Sequence, residues 1–422
     1  MTHRRRDFLR QVSGVALGSA SWSTLSGTAH TVGLAVASPR EDEEYWQLLR
    51  QQFPLEDGLT YLNAANICPA SRPVLDRQVA YIADFHKNPS FQNREKYKPM
   101  YERLRGKLAS VLHASSADEI AITRNTSEGN NLIVNGLDFA PGDEIVISDH
   151  NHQSNSVAWE MRAKRDSLVV KRAPVSVPAE SREALIAGFE RLITPRTKVV
   201  ALTHVTATTG VLFPVREIAE LARRQNAWVH VDGAQTFGVL AVDVQALGCD
   251  SYSASSHKWM MGPLEAGVLY VHSRRLAELW PPIVTAGWAD DLKGARRLDV
   301  VGQREDPRVV AFEAAIDFMH VIGIDKVEAR SLALAARAKR LLADLPAVRM
   351  KSPVSPELSG PVVKFSLRNR PTKEAYDTLW QKHRIALAIT AAGEAEGLRC
   401  SPHIYNSFDD IDRLVAGVRE LG

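Results

Sequence analysis

Ser253-Ala254-Ser255-Ser256-His257-Lys258-Trp259-Met260-Met261-Gly262-Pro263 sets a lysine behind small hydroxyl residues and a histidine, and closes on a Gly-Pro turn. Just upstream, Trp228-Val229-His230-Val231-Asp232 reads as an apolar strand that Gly233 breaks. An amine beside a carboxylate that ends a buried strand suits imine chemistry. The amine attacks a carbonyl, and the anion holds a positive ring nitrogen. Lys258 taken alone is equally a surface lysine after a Ser-rich loop, so the rest of the chain has to decide.

Outward from this stretch the pattern alternates. Ile120–Ile122, Glu144–Ile147, Ser167–Lys171, Val199–Leu202, Val229–Val231 and Gly267–Val271 are short β-type runs, and helical segments start at Ser127, Asn155, Ser181 and Val215. Short strands separated by helices predict an α/β fold with a mainly parallel sheet covered on both faces. Its ligand crevice is expected at the carboxyl ends of the strands. Helical spacing also runs over Glu41–Phe53, Arg72–Phe85 and Tyr97–Leu112, with a strand-like Tyr61-Leu62-Asn63 between the first two. Trp280–Arg304 turns to Pro, Gly and charge, as a connection or lid does. Asp306–Leu345 is strongly helical, Gly360–Leu367 and Ile385–Ile389 are strand-like, and Phe408–Leu421 is a final helix. The expected organisation is a leader over 1–37 and a segment over 38–60 that packs with the small lobe. A large lobe over 61–290 follows, then a linker and small C-terminal α+β lobe over 291–422.

The 422 residues are 45% hydrophobic and 24% charged, ordinary for a soluble globular enzyme. Cys68, Cys249 and Cys400 form neither a disulfide framework nor a metal-ligand spacing, so no metal is expected. The net charge of +3 is carried by Arg4, Arg5, Arg6 and Arg10 against Asp7, and the remainder balances. Nothing therefore points to nucleic acid, and no apolar run of the mature region is long enough to anchor it in a bilayer. Arg5-Arg6-Asp7-Phe8-Leu9-Arg10, the mildly apolar Val12–Trp22 and Ala35-Val36-Ala37 before Ser38 resemble a twin-arginine export signal in the right order. The twin-arginine translocase carries folded proteins, which suits a protein loaded with its cofactor before export. The expected location is the periplasm.

Several features fall at strand ends. Arg124-Asn125-Thr126-Ser127-Glu128-Gly129 opens a helix whose first N–H groups, with the Thr126 and Ser127 hydroxyls, suit a phosphate; an ordinary capped helix start explains it as well. His152, in His150-Asn151-His152, follows a strand and suits stacking on an aromatic ring, although a lone histidine is more often simply hydrogen-bonded. Asp232 ends its strand at a position where an unpaired buried charge is costly, and a protonated pyridine nitrogen is a fitting partner. Gln235 is placed to reach the ring's phenolic oxygen. Ser255 and His257 flank the phosphate position next to Lys258. Arg399, in Leu398-Arg399-Cys400-Ser401, suits a bidentate grip on a substrate carboxylate, with a surface ion pair as the plain alternative.

Together these motifs resemble the class V aminotransferase-fold proteins of the pyridoxal-phosphate type I group, the clan of cysteine desulfurases and isopenicillin-N-epimerase-like enzymes. Tyr61-Leu62-Asn63, Thr126-Ser127-Glu128, His152 with Asn155 and Trp159, His230–Gln235, Ser255–Lys258, Gly302 with Asp306, and Arg399 through Tyr405-Asn406 occur in family order over the mature chain. The resemblance implies a mainly parallel seven-stranded sheet in the large lobe and a small C-terminal α+β lobe. It implies pyridoxal 5'-phosphate held covalently by Lys258, stacked by His152 and paired at its ring nitrogen with Asp232. Thr126, Ser127, Ser255 and His257 would serve the phosphate and Gln235 the ring. Arg399 and Asn63 would bind substrate, with Lys258, Asp232 and His152 catalytic, in a homodimer whose site lies at the subunit interface.

Departures narrow the chemistry. Ile389–Glu396 lacks the loop cysteine that accepts sulfur in desulfurases. The position of their ring-contacting Asn reads Ala207, and the Gly-Thr that would reach a partner's phosphate reads Gly302-Gln303. A leader on this fold resembles the exported enzymes that modify the siderophore pyoverdine. The first expectation is therefore a periplasmic enzyme acting on an amino-acid moiety of a siderophore precursor, its glutamyl side chain. A small-amino-acid aminotransferase, epimerase or C–S lyase is the alternative, and a non-catalytic exported binding protein is the reading from another class.

Overall fold

The computed structural model describes residues 39–289, 291–390, 393 and 395–422. The expected export signal, its cleavage site after Ala37, and Ala391, Ala392 and Glu394 of the stretch compared with the desulfurase loop lie outside the described residues.

The strands are, in order, β1 (Thr60–Tyr61), β2 (Ile120–Thr123), β3 (Glu144–Ser148), β4 (Val169–Ala173), β5 (Thr197–Thr203), β6 (Trp228–Asp232) and β7 (Ser251–Ser255). They continue with β8 (Gly267–Val271), β9 (Val348–Met350), β10 (Val363–Leu367), β11 (Ile385–Ala386), β12 (Ala388–Thr390) and β13 (Gly397–Cys400). The main sheet has seven strands in the order β2-β8-β7-β6-β5-β3-β4. β8 alone runs opposite to the other six strands. The mainly parallel α/β sheet expected from the sequence is therefore observed.

The period of two along each strand assigns its two faces. Ile145, Ile147, Val199 and Ala201 meet Leu132 and Ile133 of helix Thr126–Gly136 and Trp159 of helix Gln153–Asp166. The intervening Val146, Val200 and Leu202 join Val229 and Val231 in a core with Leu104, Ile218, Phe312 and Phe318 on the other face. Both faces exclude water, which is why these strands read as short apolar runs rather than as alternating ones. The polar exceptions, His230, Ser251, Ser253 and Ser255, are enclosed; Ser251 opens β7 opposite His230, and Ser255 stands at its carboxyl end.

In the second lobe, β9, β10, β12 and β13 form an antiparallel sheet in the order β12-β13-β10-β9. Helices Ile324–Ala343, Thr372–His383 and Phe408–Leu421 supply its apolar cover.

The lobe boundaries differ from the sequence expectation at two places. β1 pairs in parallel with β11, Leu62 enters the small-lobe core, and Asn63 bridges to Ser401. Residues 60–63 thus bridge the lobes: their backbone pairs with the small lobe while the Tyr61 side chain packs on the large-lobe core. The single helical stretch expected over Asp306–Leu345 breaks at Gly323, whose φ of 90° is a conformation that favours glycine. Asp306–Ile322 carries apolar residues over most of its surface and returns to the large-lobe core; Ile324 and Val327 still pack there, and the small-lobe core takes over at Leu334.

Candidate active site

Lys258 sits on a loop stapled at several points. The Ser256 amide donates to Ala266 O (3.0 Å), the Gly262 amide to Ser256 O (2.8 Å), and the Met261 amide to Lys258 O (2.9 Å). The Ser256 hydroxyl donates to Pro263 O. Trp259, fully buried, donates from Nε1 to Gln235 Oε1 (2.8 Å), and His403 Nε2 donates to Trp259 O (2.8 Å). This lattice fixes the direction in which Lys258 leaves the loop. Its amine makes no hydrogen bond or ion pair among the described residues. Burial lowers the lysine pKa, Asp232 opposes that, and Arg399 adds to it.

Asp232 ends β6 at the adjoining position of the sheet. Its Oδ1 accepts from the Ala234 amide (3.0 Å), and its Oδ2 accepts from Asn130 Nδ2 (3.1 Å). Asn130 is fully buried. Its Oδ1 accepts from His230 Nε2 (2.9 Å) and from the Ser253 hydroxyl. His230 Nδ1 in turn meets Ser251 Oγ (2.8 Å), which also accepts from Trp228 Nε1 (2.8 Å). The carboxylate is thus oriented by a closed polar network under the crevice floor. Gly233 follows it because a Cβ there would stand 1.8 Å from the Tyr252 ring. Sequence reading missed Asn130. The signal that finds it is its spacing four residues after Thr126, which puts both on one helix face.

The proposed phosphate cup is assembled from two strand ends. Thr126 N–H donates to Ser255 Oγ (2.8 Å), and the two hydroxyls share a hydrogen bond of 2.7 Å. Ser127 is half-buried in the first turn, and Asn125 caps the helix by accepting from the Glu128 amide (3.0 Å). His257 Nδ1 is buried without a partner, and burial, then Lys258, pushes its pKa down to about 4.

His152 caps the next helix, with Nδ1 2.7 Å from Ser154 Oγ, and its ring stays open to solvent. The crevice and Lys258 hold its pKa down while Asp232 opposes them. Gln235 sits differently from expectation. Its amide is tied to Ala65 O through Nε2 (3.0 Å) and to Trp259 through Oε1, so it braces the Lys258 loop and keeps only one amide hydrogen for the ring.

Arg399 reaches the large lobe from β13. It donates to Ala207 O (3.0 Å) and to Asn63 Oδ1 (3.1 Å), leaving its buried Nε without a partner. Burial lowers its pKa to about 10 against the effect of Tyr61. Ala207 thus contributes its carbonyl to the guanidinium. A cavity of about 380 Å³ opens beside Arg399, lined in part by Asn63, Asn66, Tyr376 and Thr390. Gln303, in contrast, is exposed and accepts from Arg94 (2.9 Å) on its own chain.

An unengaged amine, an oriented carboxylate, a hydroxyl pair, an orphaned imidazole nitrogen and an orphaned guanidinium N–H converge at one sheet end. That donor set fits pyridoxal phosphate and a carboxylate-bearing substrate. The family model for class-V aminotransferases matches residues 60–414.

The chain belongs to the class-V aminotransferase family.

Within it, the chain is 30% identical over 394 residues to the isopenicillin N epimerase of Amycolatopsis lactamdurans, covering 89% of this chain and 98% of that one. It is 31% identical over 403 residues to the cysteine desulfurase of Dickeya dadantii (strain 3937), covering 88% and 96%. Among solved structures, C-DES with glycine covalently linked to its pyridoxal-phosphate cofactor superposes with a TM-score of 0.81 at 25% identity, covering 88% of this chain and 99% of that one. The apo cysteine desulfurase of Thermococcus onnurineus NA1 gives 0.80 at 25% identity, covering 90% and 97%. This class-V protein is therefore a pyridoxal-phosphate enzyme, and the non-catalytic binding protein weighed from the sequence gives way to it.

Proposed function

We propose that this class-V enzyme acts on the amino group and α-carbon of an amino acid, as an aminotransferase or epimerase does, without sulfur transfer. The observation that carries this is the pairing of the unengaged Lys258 amine with the absence of an accessible thiol. Cys68, Cys249 and Cys400 are all buried, and burial raises each thiol's pKa. A nucleophilic acceptor cysteine needs the opposite environment.

Thr126, Ser127, Ser255 and His257 would hold the cofactor's phosphate, Asp232 its ring nitrogen and His152 its ring face. Bound there, pyridoxal phosphate supplies the electron sink that makes the substrate's α-proton acidic. Arg399 grips the α-carboxylate and, with Asn63, fixes the substrate's orientation. Burial lowers the Lys258 pKa and so raises the share of free amine, which takes the proton from the α-carbon and returns it. Which atom receives the returned proton separates transamination from epimerisation. Incubation with L-alanine in deuterium oxide tests the reading. Deuterium at the α-carbon of alanine, lost in Lys258→Ala, is the expected result. Release of sulfide from L-cysteine with formation of a protein persulfide would overturn it.

The leader residues and the polar cavity beside Arg399 favour a second reading of the substrate, the glutamyl side chain of pyoverdine, processed in the periplasm after twin-arginine export. The names of the relatives span both cases, cysteine as a free amino acid and isopenicillin N as a larger compound. A homodimer belongs to the same proposal, supported by the exposed Phe91, Trp280 and Val284. Export is tested by Arg5→Lys with Arg6→Lys. The protein should then stay in the cytosol, and periplasmic recovery of that variant would exclude the signal.

A further inference from the structure

The small lobe carries a buried cation that the chemistry above does not use. Lys364 of β10 has no exposed surface, and it lies directly opposite Arg399 in the β10–β13 ladder. Opposed residues of an antiparallel pair project from the same face, with Cβ atoms about 5 Å apart. That register therefore puts the lysine and the arginine side by side. The Lys364 ammonium donates to Gly397 O (2.6 Å), two residues before Arg399. Its own amide donates to Ser352 Oγ (2.7 Å), and the Ser352 hydroxyl donates to Thr209 O in the large lobe. Lys364 thus sits where the two lobes close on one another, behind the guanidinium.

Two neighbouring cations taken out of water repel one another and lack full hydration, an arrangement that is costly unless something negative completes it. The groups that act on Lys364 are Arg399, Glu396 and Lys351. Glu396, the acid among them, is itself engaged by the Thr372 hydroxyl (3.0 Å) from helix Thr372–His383. From helix Ile324–Ala343, the buried Lys339 points to Gly360 O (3.0 Å) and brings no negative charge.

We propose that Lys364 is a positioning and specificity residue for the substrate carboxylate, acting through Arg399 as a second buried cation on the same sheet face. It anchors the start of the arginine's strand at Gly397 and adds positive potential to the clamp that the incoming anion balances. This rests on the reading of Arg399 as the carboxylate grip. Burial, with Arg399 adding to it, brings the lysine down to about 7, so the added charge is present below that pH and fades above it. A unit charge about 7 Å away at an effective dielectric constant of about 40 changes anion affinity by roughly fivefold to tenfold.

The test uses the full-length protein loaded with pyridoxal phosphate and two reagents that attack the bound cofactor whatever the natural substrate is. Aminooxyacetate carries a carboxylate and O-methylhydroxylamine does not. The ratio of their rates, read from loss of the visible absorption band, isolates the carboxylate contribution between pH 6 and 9. In the wild type the ratio should fall about fivefold as pH rises through 7. In Lys364→Met it should be low and flat, with the O-methylhydroxylamine rate unchanged as evidence of an intact site. In Lys364→Arg it should stay high to pH 9. A wild-type ratio and pH profile in Lys364→Met overturns the proposal, as does a flat wild-type profile, which needs no variant to fold. If Arg399→Met leaves the ratio unchanged, the clamp reading fails and the Lys364 proposal falls with it. If Arg399→Met abolishes the preference and Lys364→Met does not alter it, only the role of Lys364 is lost.

Discussion

Replacing Asn130 by alanine isolates the network beneath Asp232. The wild-type amide gives Asp232 Oδ2 one hydrogen bond (3.1 Å) and accepts from His230 (2.9 Å) and Ser253. Hydrogen bonds to a charged group contribute about 1.5–3 kcal/mol, and a buried donor left without a partner costs about 1–3 kcal/mol. The Ser253 hydroxyl can rotate, and His230 can place its proton on Nδ1 and donate to Ser251 Oγ. Part of the second cost is therefore recovered, and a loss of about 3–5 kcal/mol is expected. An unfolding entropy of about 2.1 cal/mol/K per residue gives roughly 0.9 kcal/mol/K for a chain of this length, so Tm should fall by about 3–6 °C. Retention of the cofactor should weaken as well, because Asp232 is left held only by the Ala234 amide. Differential scanning calorimetry of the apoprotein and absorbance titration with pyridoxal phosphate read the two effects. Asn131→Ala, an exposed neighbour on the same helix, serves as the control. A Tm within about 1 °C of wild type together with unchanged cofactor affinity would falsify the assignment of Asn130 as the group that orients Asp232.

Further outcomes follow from the same geometry. Lys258→Ala should abolish the visible band and the mass increment seen after borohydride reduction, while Lys293→Ala, on the connection between lobes, should keep both. Native protein should react with a maleimide at none of its three cysteines and, after denaturation, at all of them, because each is buried. Replacing all three by alanine or serine should leave turnover of L-alanine within about twofold, whereas loss of turnover in the Cys400 variant alone would point to a catalytic thiol. His204, His230 and His403 are buried, with pKa values lowered by desolvation to about 4. Protonation therefore favours the unfolded chain, and stability present above pH 6.5 should be lost as pH falls toward 4. Each group contributes of order 1.4 kcal/mol per pH unit inside that window. A urea midpoint for the apoprotein that stays constant from pH 7 to 5 would rule this out.

The sequence by itself determined the lysine, the carboxylate and the arginine. Lys258 and Asp232 each follow a strand-like run of the large lobe, and the alternation of short apolar strands with helices is enough to place such ends together, whereas Arg399 stands on a small-lobe strand and meets them only where the lobes close. It also determined that no cysteine stands at Ile389–Glu396. What surrounds those residues was decided by tertiary structure. The four-residue spacing puts Asn130 on the helix face of Thr126 but does not show that it is enclosed, and nothing local marks Lys364, because a polar residue on a helix or an alternating strand is usually solvated. Only the packing of helix Thr126–Gly136 on β7 and the register of β10 against β13 show that these two are enclosed. Gln235 was read as a ring contact, yet its amide is tied to Ala65 and Trp259, which lie 170 residues away and on the facing loop. Likewise Leu62 belongs to the small-lobe core and Asp306–Ile322 to the large one, because strand pairing and apolar burial join segments by surface complementarity, and neither follows order along the chain.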